Sequence, residues 1–331
     1  MKKIYYITAV FATLFLVGCG DGIDLPGVNV ETDLNKIPLP DNNVNLEQVE
    51  LKPSTEPMLH EGLHTEEDFQ RIRDKKAAGE EPWVSAYQLL VESQFSQKTA
   101  DTYPTEWIKR GISGDENYMN AARGATIVYQ QALRWKIEQD DEYAAKAVEN
   151  LNKWVQTCVG VTGNTNLSLA AGLYGYEFAI AGELLRDYGG WDRADFAAFQ
   201  NWLLKVFYPA NDDFLKRHHD TNALHYWANW CLCNIAAKMA IGIVTDRRDI
   251  YNEGIAHLQT GDTNGRLRRA IYHDYAPDYN FAQWQESGRD QGHTLMCVGL
   301  MGIICQLAWS QGDDFFAYDD NLFLRACEYA A

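Results

Sequence analysis

Apolar positions recur at three- and four-residue spacing through most of this chain. Tyr87, Leu90 and Val91 show it, as do Val148, Leu151 and Val155, the mark of helices that turn one face inward. Thr65-Glu-Glu-Asp68 reads as an N-cap with acids in the first turn and opens a helix to about Ala78. Pro82 suits the first turn of a second helix that runs through Leu89 and Leu90. The spacing predicts further helices over Tyr118–Gln139, Glu142–Cys158, Leu167–Asp187, Arg193–Phe207, Asn222–Thr245, Arg247–Gln259 and His293–Gln311. No stretch alternates well enough to predict a strand, and Gly160–Gly163, Gly189-Gly190 and Gly261–Gly265 mark short loops. About ten helices joined by short turns are more than a four-helix bundle can bury, so the expected architecture is all-α: an α/α toroid of antiparallel hairpins, with an inner and an outer ring. Phe323–Ala331 stops inside a helical pattern with no cap. The chain is therefore expected to lack the last helices of its domain, leaving the barrel of about six or seven hairpins incomplete.

The beginning of the chain has a different pattern. Met1-Lys2-Lys3 is basic, Ile4–Val17 is an apolar run too short for a confident membrane span, and Leu16-Val17-Gly18-Cys19 reads as a lipobox. Residues 1–19 are expected to be a lipoprotein signal peptide, with Cys19 acylated and the mature protein tethered to a bacterial membrane, on its periplasmic face or at the cell surface. Residues 20–58, rich in Pro, Asn and Asp without a sustained period, are expected to be a flexible spacer. Residues 59–331 then form one domain with a sizeable core.

Composition narrows the partners. A formal net charge of −17 argues against nucleic acid, yet it leaves room for an acidic polysaccharide if a basic cleft is set into the acidic surface. The 10 Trp and 18 Tyr suit stacking on sugar rings and equally suit a large helical core. Among the seven cysteines there is no Cys-x-x-Cys pair, and the histidines show no metal-ligand spacing, so neither a metal nor a cofactor is expected. The domain is expected to act as a monomer.

The chemistry concentrates in one segment. Trp284-Gln-Glu-Ser-Gly-Arg-Asp-Gln-Gly-His293 sets acids, an arginine, amides and a histidine at the mouth of the apolar run Leu295–Ala308, as a catalytic site requires. Its plainer reading is an ion pair between Glu286 and Arg289 that caps the next helix.

Several segments resemble the alginate lyase superfamily of polysaccharide lyases, most closely polysaccharide lyase family 38. They are His60-Glu-Gly-Leu63 with Glu81-Pro-Trp83, Leu173-Tyr-Gly-Tyr-Glu-Phe178, His225-Tyr-Trp-Ala-Asn-Trp230, Ala240-Ile-Gly-Ile243 with Asp246 and Asp249-Ile-Tyr251, and Gln285–His293 with Gln311-Gly-Asp-Asp314 downstream. The last block resembles the active-site block of that family. The resemblance implies an α/α toroid that cleaves a uronic-acid polymer, alginate or glucuronan, by β-elimination. Two positions depart from the pattern. The Asn-Asn-His run common in alginate lyases is replaced by Thr221-Asn-Ala-Leu-His-Tyr226, and His293 stands near the place of a common tyrosine.

Such a reaction must hold the uronate carboxylate, remove the C5 proton and protonate the leaving O4. The residues expected to do so are Asn229 as carboxylate donor, Arg289 as bidentate carboxylate ligand, His293 as base or second donor, and Tyr226 and His225 as alternates. Glu286, Gln291, Trp230, Tyr176 and Asn222 are expected to contact substrate. Lys216-Arg-His-His219 reads as a solvated basic turn, with guidance of a polyanion as the competing reading. Two other functions compete: an inverting glycoside hydrolase, with two carboxylates from Asp220, Asp246, Glu286 and Asp290 placed ~6.5–9.5 Å apart, and a non-catalytic glycan-binding lipoprotein.

The lipobox yields a direct prediction. Cys19→Ser is expected to abolish metabolic labelling with a fatty acid and to move the protein out of the membrane fraction. Equal fractionation of both forms, with neither labelled, would refute it.

Overall fold

A computed structural model describes residues 55–331; Cys19 and the expected signal peptide lie outside the described residues. Twelve α-helices are found among them: α1 (Glu66–Ala77), α2 (Trp83–Glu92), α3 (Tyr118–Glu138), α4 (Asp141–Thr157), α5 (Leu167–Leu185), α6 (Arg193–Val206), α7 (Tyr208–Arg217), α8 (Ala228–Val244), α9 (Arg248–Thr260), α10 (Leu267–Ala270), α11 (Gln291–Ser310) and α12 (Tyr318–Ala330). Thr65 caps α1 as the sequence predicts, and Asp68 returns the bond to the Thr65 backbone, which completes a reciprocal capping pair.

The helices form an α/α toroid. α3, α5, α8 and α11 are its inner helices. Side-chain contacts at both ends show that the first three run parallel, and α11 runs with α8, meeting it at Asn229–Met296 near the start and through Tyr251–Asp313 just past the end. Between α5 and α8, Asn234 Nδ2 donates to Ser168 O at 3.2 Å at one end, and Arg186 reaches Val244 O at 2.8 Å at the other. α3 meets α5 through the stacked rings of Tyr118 and Tyr174, and through Trp135 against Tyr188. The intervening helices return outside. All of α8 except Trp230 is buried, and all of α5 except Leu167 and Glu177. Neither helix has a polar stripe, because each has neighbours all round. α11 is long and apolar enough to cross a membrane, but it is mostly buried against the other inner helices and reads as a core helix.

Small residues set how closely the rings approach. At Gly172 a Cβ would press on Cys233 and the Asn234 backbone of α8, and at Gly182 it would overlap the Phe199 ring of α6. Phe199 belongs to a chain of rings, Trp191, Phe196, Phe199, Trp202, Phe207 and Phe178, that glues α5 to the outer helices.

One end of the toroid is closed by the first described residues. Arg248 donates to the carbonyls of Glu56 and Pro57, and Gln311 bonds both Leu59 N and O at 2.9 and 3.0 Å and Glu61 O at 2.7 Å. His60 lies 3.0 Å from Asp246, which also meets Arg186. Among the described residues, packing is already present at Glu56. The N-terminal ends of α5, α8 and α11 face the opposite end, the mouth.

Three expectations need correction. Asn222 does not begin a helix: residues 221–227 form a loop, and α8 starts at Ala228. α6 ends at Phe207 as expected, but α7 follows at once over a stretch for which the spacing predicted no helix. There are also strands. β1 (Trp107–Arg110) pairs in parallel with β2 (Gly160–Gly163), and β3 (Ile271–Asp274) pairs antiparallel with β4 (Ala282–Trp284). Each is three or four residues long, too short for a two-residue period to stand out, and Gly160–Gly163 had the look of a plain loop.

The glycine contacts can be tested. Gly182→Val is expected to destabilise the protein by about 2–3 kcal/mol through overpacking against Phe199. Gly189→Ala, which meets nothing within 4 Å, should stay within about 0.5 kcal/mol of wild type in the same denaturant melts.

Candidate active site

The mouth is built around the start of α8. Trp227 is its N-cap residue but supplies no side-chain bond. The exposed backbone donors are met instead by a segment 57 residues later: Gln285 Oε1 accepts from Ala228 N at 2.8 Å and Glu286 Oε1 from Asn229 N at 3.2 Å. Two carbonyl-type oxygens at a helix N-terminus satisfy donors that would otherwise be orphaned. The Gln285–Gly288 turn is thereby fixed against α8, and α11 follows it at once.

Glu286 is fully buried. Burial pushes its carboxyl up to about 7, against the opposing pull of the Asn229 N–H and of Arg289. Its Oε2 has no hydrogen bond and lies 3.7 Å from Arg289 Nη1. The plain reading of the sequence, a Glu286–Arg289 pair beside a helix cap, is therefore present, as a loose pair. Arg289 is exposed, with its guanidinium 5.7 Å from the Trp227 ring centroid.

Asp290 caps α11. It accepts from His293 N at 2.7 Å, and its other oxygen lies 2.6 Å from His293 Nδ1. Burial works against ionisation of Asp290, but those two bonds and Arg289 hold its carboxyl below the usual range. The histidine ring is thus oriented through Nδ1, and Nε2 has no protein partner among the described residues. Histidine–carboxylate pairs that orient a base share this arrangement.

Across the mouth, Tyr226 is buried among rings: Trp230 at 4.7 Å, His225 at 4.9 Å, Phe214 at 5.1 Å and His219 at 5.8 Å between centroids. Burial raises its phenol above the ordinary value, and a hydrogen bond with Thr165 partly offsets this. Asn229 is the second residue of α8, its Nδ2 3.7 Å from Met296 Sδ and its Oδ1 buried without a partner. His225 and Gln291 are exposed on the rim.

The structure thus gathers Tyr226, His225, Asn229, Trp230, Glu286, Arg289, Gln291 and His293 at one end of the toroid. Two other expected contacts fall differently. Tyr176 is buried in the middle of α5, and its phenol is held far above the ordinary range by that burial; this aromatic packs the interior. Asn222 spends its Oδ1 on Leu224 N at 2.8 Å, closing a turn of the loop before α8. The segment Gln311–Asp314 does not join the site either. Gln311 holds the closing segment at the far end, and Asp313 accepts from Tyr251 there.

One residue of the mouth was missed. His219 lies on a bend where His218, His219 and Asp220 all have positive φ, at 49°, 51° and 60°. Three successive side-chain-bearing residues in that region store strain, which collects at functional sites. His219 Nε2 lies 2.9 Å from Ser168 Oγ at the start of α5. Lys216 and Arg217 behave as a solvated basic turn should, pairing with Asp212, Asp213 and Asp220. The two histidines that follow do not. A His-His pair just past a helix end, shortly before an Asn and a Tyr-Trp pair, was the available signal.

Known proteins share this arrangement of helices. A histidine-to-alanine variant of alginate lyase A1-III in complex with a tetrasaccharide superposes with a TM-score of 0.63 at 13% identity, over 82% of this chain and 77% of that one. The A1-III enzyme from Sphingomonas species A1 gives 0.57 at 13% identity, over 82% and 78%. An alginate lyase from Bacteroides ovatus gives 0.54 at 14%, over 81% and 82%. No curated protein matches the sequence significantly. The family model for alginate lyase matches residues 73–331. The class these matches define is that of a polysaccharide lyase. More particularly, the chain belongs to the alginate lyase family.

The buried carboxyl makes stability depend on pH. Below about pH 4.5 Glu286 is protonated in both states; between about 4.5 and 7 only the unfolded chain ionises, so wild type loses stability over that window and none above it. The stability of wild type relative to Glu286→Gln is expected to fall by about 3 kcal/mol from pH 4.5 to 7. A gap that does not change with pH in urea melts would show that the carboxyl ionises freely in the fold.

Proposed function

We propose that this lyase cleaves a β-linked uronan such as alginate or glucuronan by β-elimination at the mouth of the toroid. The observation that carries the reading is His293, oriented through Nδ1 by Asp290 and set beside the accessible guanidinium of Arg289. In this reading Arg289 binds the uronate carboxylate, with the Asn229 amide as a second donor, so that charge developing on the carboxylate is held as the C5 proton leaves. His293 Nε2 takes that proton. The C5–H electrons form the C4–C5 double bond, and the C4–O4 bond breaks. The leaving O4 is protonated by Tyr226, whose buried, neutral phenol suits an acid. His225, exposed on the rim, and Trp230 contact the neighbouring sugar. The polymer meets the positive ends of several inner helices, which favours an anion although the chain as a whole is acidic.

The hydrolase alternative finds little support. Asp246 lies at the closed end, engaged by His60 and Arg186. Glu286 and Asp290 lie one turn apart on the same wall and are already bonded, so they do not straddle a sugar as a hydrolytic pair does. We also place the protein, by its lipobox, on a bacterial membrane as a lipoprotein.

The experiment is incubation with alginate, polymannuronate, polyguluronate and glucuronan while recording the ultraviolet absorbance of 4,5-unsaturated uronate. One of them is expected to yield the chromophore. His293→Ala should lower kcat by about 10²–10⁴-fold and remove the acidic limb of the kcat/KM profile. Asn229→Ala should cost about 10²–10³-fold. New reducing ends without the chromophore, or a folded His293→Ala protein with an unchanged profile, would overturn the assignment.

A further inference from the structure

The mouth carries a second group of charges that the proposed reaction does not use. Arg266 and Arg269 stand one turn apart, the Arg269 amide donating to the Arg266 carbonyl at 2.8 Å. Arg268 between them is engaged by Asp319 and approaches Asp274 at 3.5 Å. Arg269 has no such engagement. It is half-buried, forms no ion pair and no side-chain hydrogen bond among the described residues, and its Nε is shut off from water. Burial and the neighbouring Arg266 both push its guanidinium below the ordinary value, and Asp262 opposes them only at a distance. In a chain with 46 acids against 29 basic residues, an arginine crowded by another and left without a carboxylate is a cost that a single acidic neighbour would remove.

The position is informative. Asn264 Nδ2 donates to Leu224 O at 3.0 Å and Tyr226 O at 2.8 Å, tying this segment to the loop before α8. α10, which carries Arg269, also packs against the Gln285–Gly288 turn. The segment that carries the two arginines is therefore joined both to the loop before α8 and to the Gln285–Gly288 turn, the two walls of the candidate site.

We propose that Arg266 and Arg269 form a subsite for the carboxylate of a uronate next to the one that is cleaved. The proposal rests on the uronan reading above. A polyuronate carries a carboxylate on every sugar, so a chain held by Arg289 offers another to the rim. A bound carboxylate accepts charge-assisted bonds from a planar guanidinium and relieves the repulsion between the two arginines. The subsite selects acidic chains without touching the reacting atoms.

The test compares wild type with Arg269→Gln. On the uronan that is cleaved, KM at low salt is expected to rise about tenfold with kcat nearly unchanged, and added salt should narrow the difference. The free variant should melt at or above the wild-type temperature, because a repulsive charge is gone. Polymannuronate at low salt should raise the melting temperature of wild type more than that of the variant, and its carboxyl-reduced form should raise neither. Cleavage with an unchanged KM would sink the subsite and leave the lyase reading standing. If no uronan is cleaved, that reading fails, and the melting shifts alone decide the subsite: equal shifts for both proteins overturn it. A clear loss of stability in the ligand-free variant would instead make Arg269 structural.

Discussion

The architecture of the mouth depends on how the N-terminus of α8 is closed. A helix buried on every side cannot leave its first amide donors to water, and Trp227 offers them no side chain. The Gln285–Glu286 pair supplies both acceptors across 57 residues of sequence. This bond set places a carboxyl in the protein interior, where burial keeps it hard to ionise. It also fixes the turn from which Arg289, Asp290 and His293 project. The groups proposed to bind and deprotonate the substrate are thus held by the same contacts that complete a core helix, as a preorganised site requires.

Parallel inner helices give the toroid two unlike ends. Helix C-termini and the first described residues share one end, where Arg186, Asp246, His60 and Gln311 tie loose carbonyls and charges together. Helix N-termini and long connections share the other. Loops there can carry polar and aromatic side chains without disturbing the packed layers beneath. The acidic chain can attract a polyanion to this end because local fields at helix N-termini and arginines, rather than the total charge, act on a ligand at close range.

The strained bend at His218–Asp220 belongs to the same end. It turns the chain out of α7 and delivers His219 to Ser168 and towards Tyr226. Asn264 ties the loop carrying Tyr226 to the α10 segment. The wall opposite Arg289 is therefore held on both flanks, from α5 and from α10, so its rings have a fixed place relative to the His293 wall.

Much of this was readable from the sequence alone. Three-four periodicity gave the helices, Thr65 and Asp68 gave a cap, and the density of proton-active groups over 284–293 marked one wall of the mouth. These features are local: the cause lies within a turn or two of the residues concerned. The tertiary structure decided which of the candidates share a space. Asn222 became part of a turn because the chain must cross the mouth before α8 can begin. Tyr176 became core, because its face of α5 meets other inner helices. Gln311 and Asp246 went to the closed end, and His219 came to the mouth through a bend that no periodicity encodes. Sequence fixes the face and spacing of a side chain on its own helix. Only closure of the ring decides which helix ends meet, since that depends on backbone donors, charges and ring stacks brought together from segments far apart in the chain.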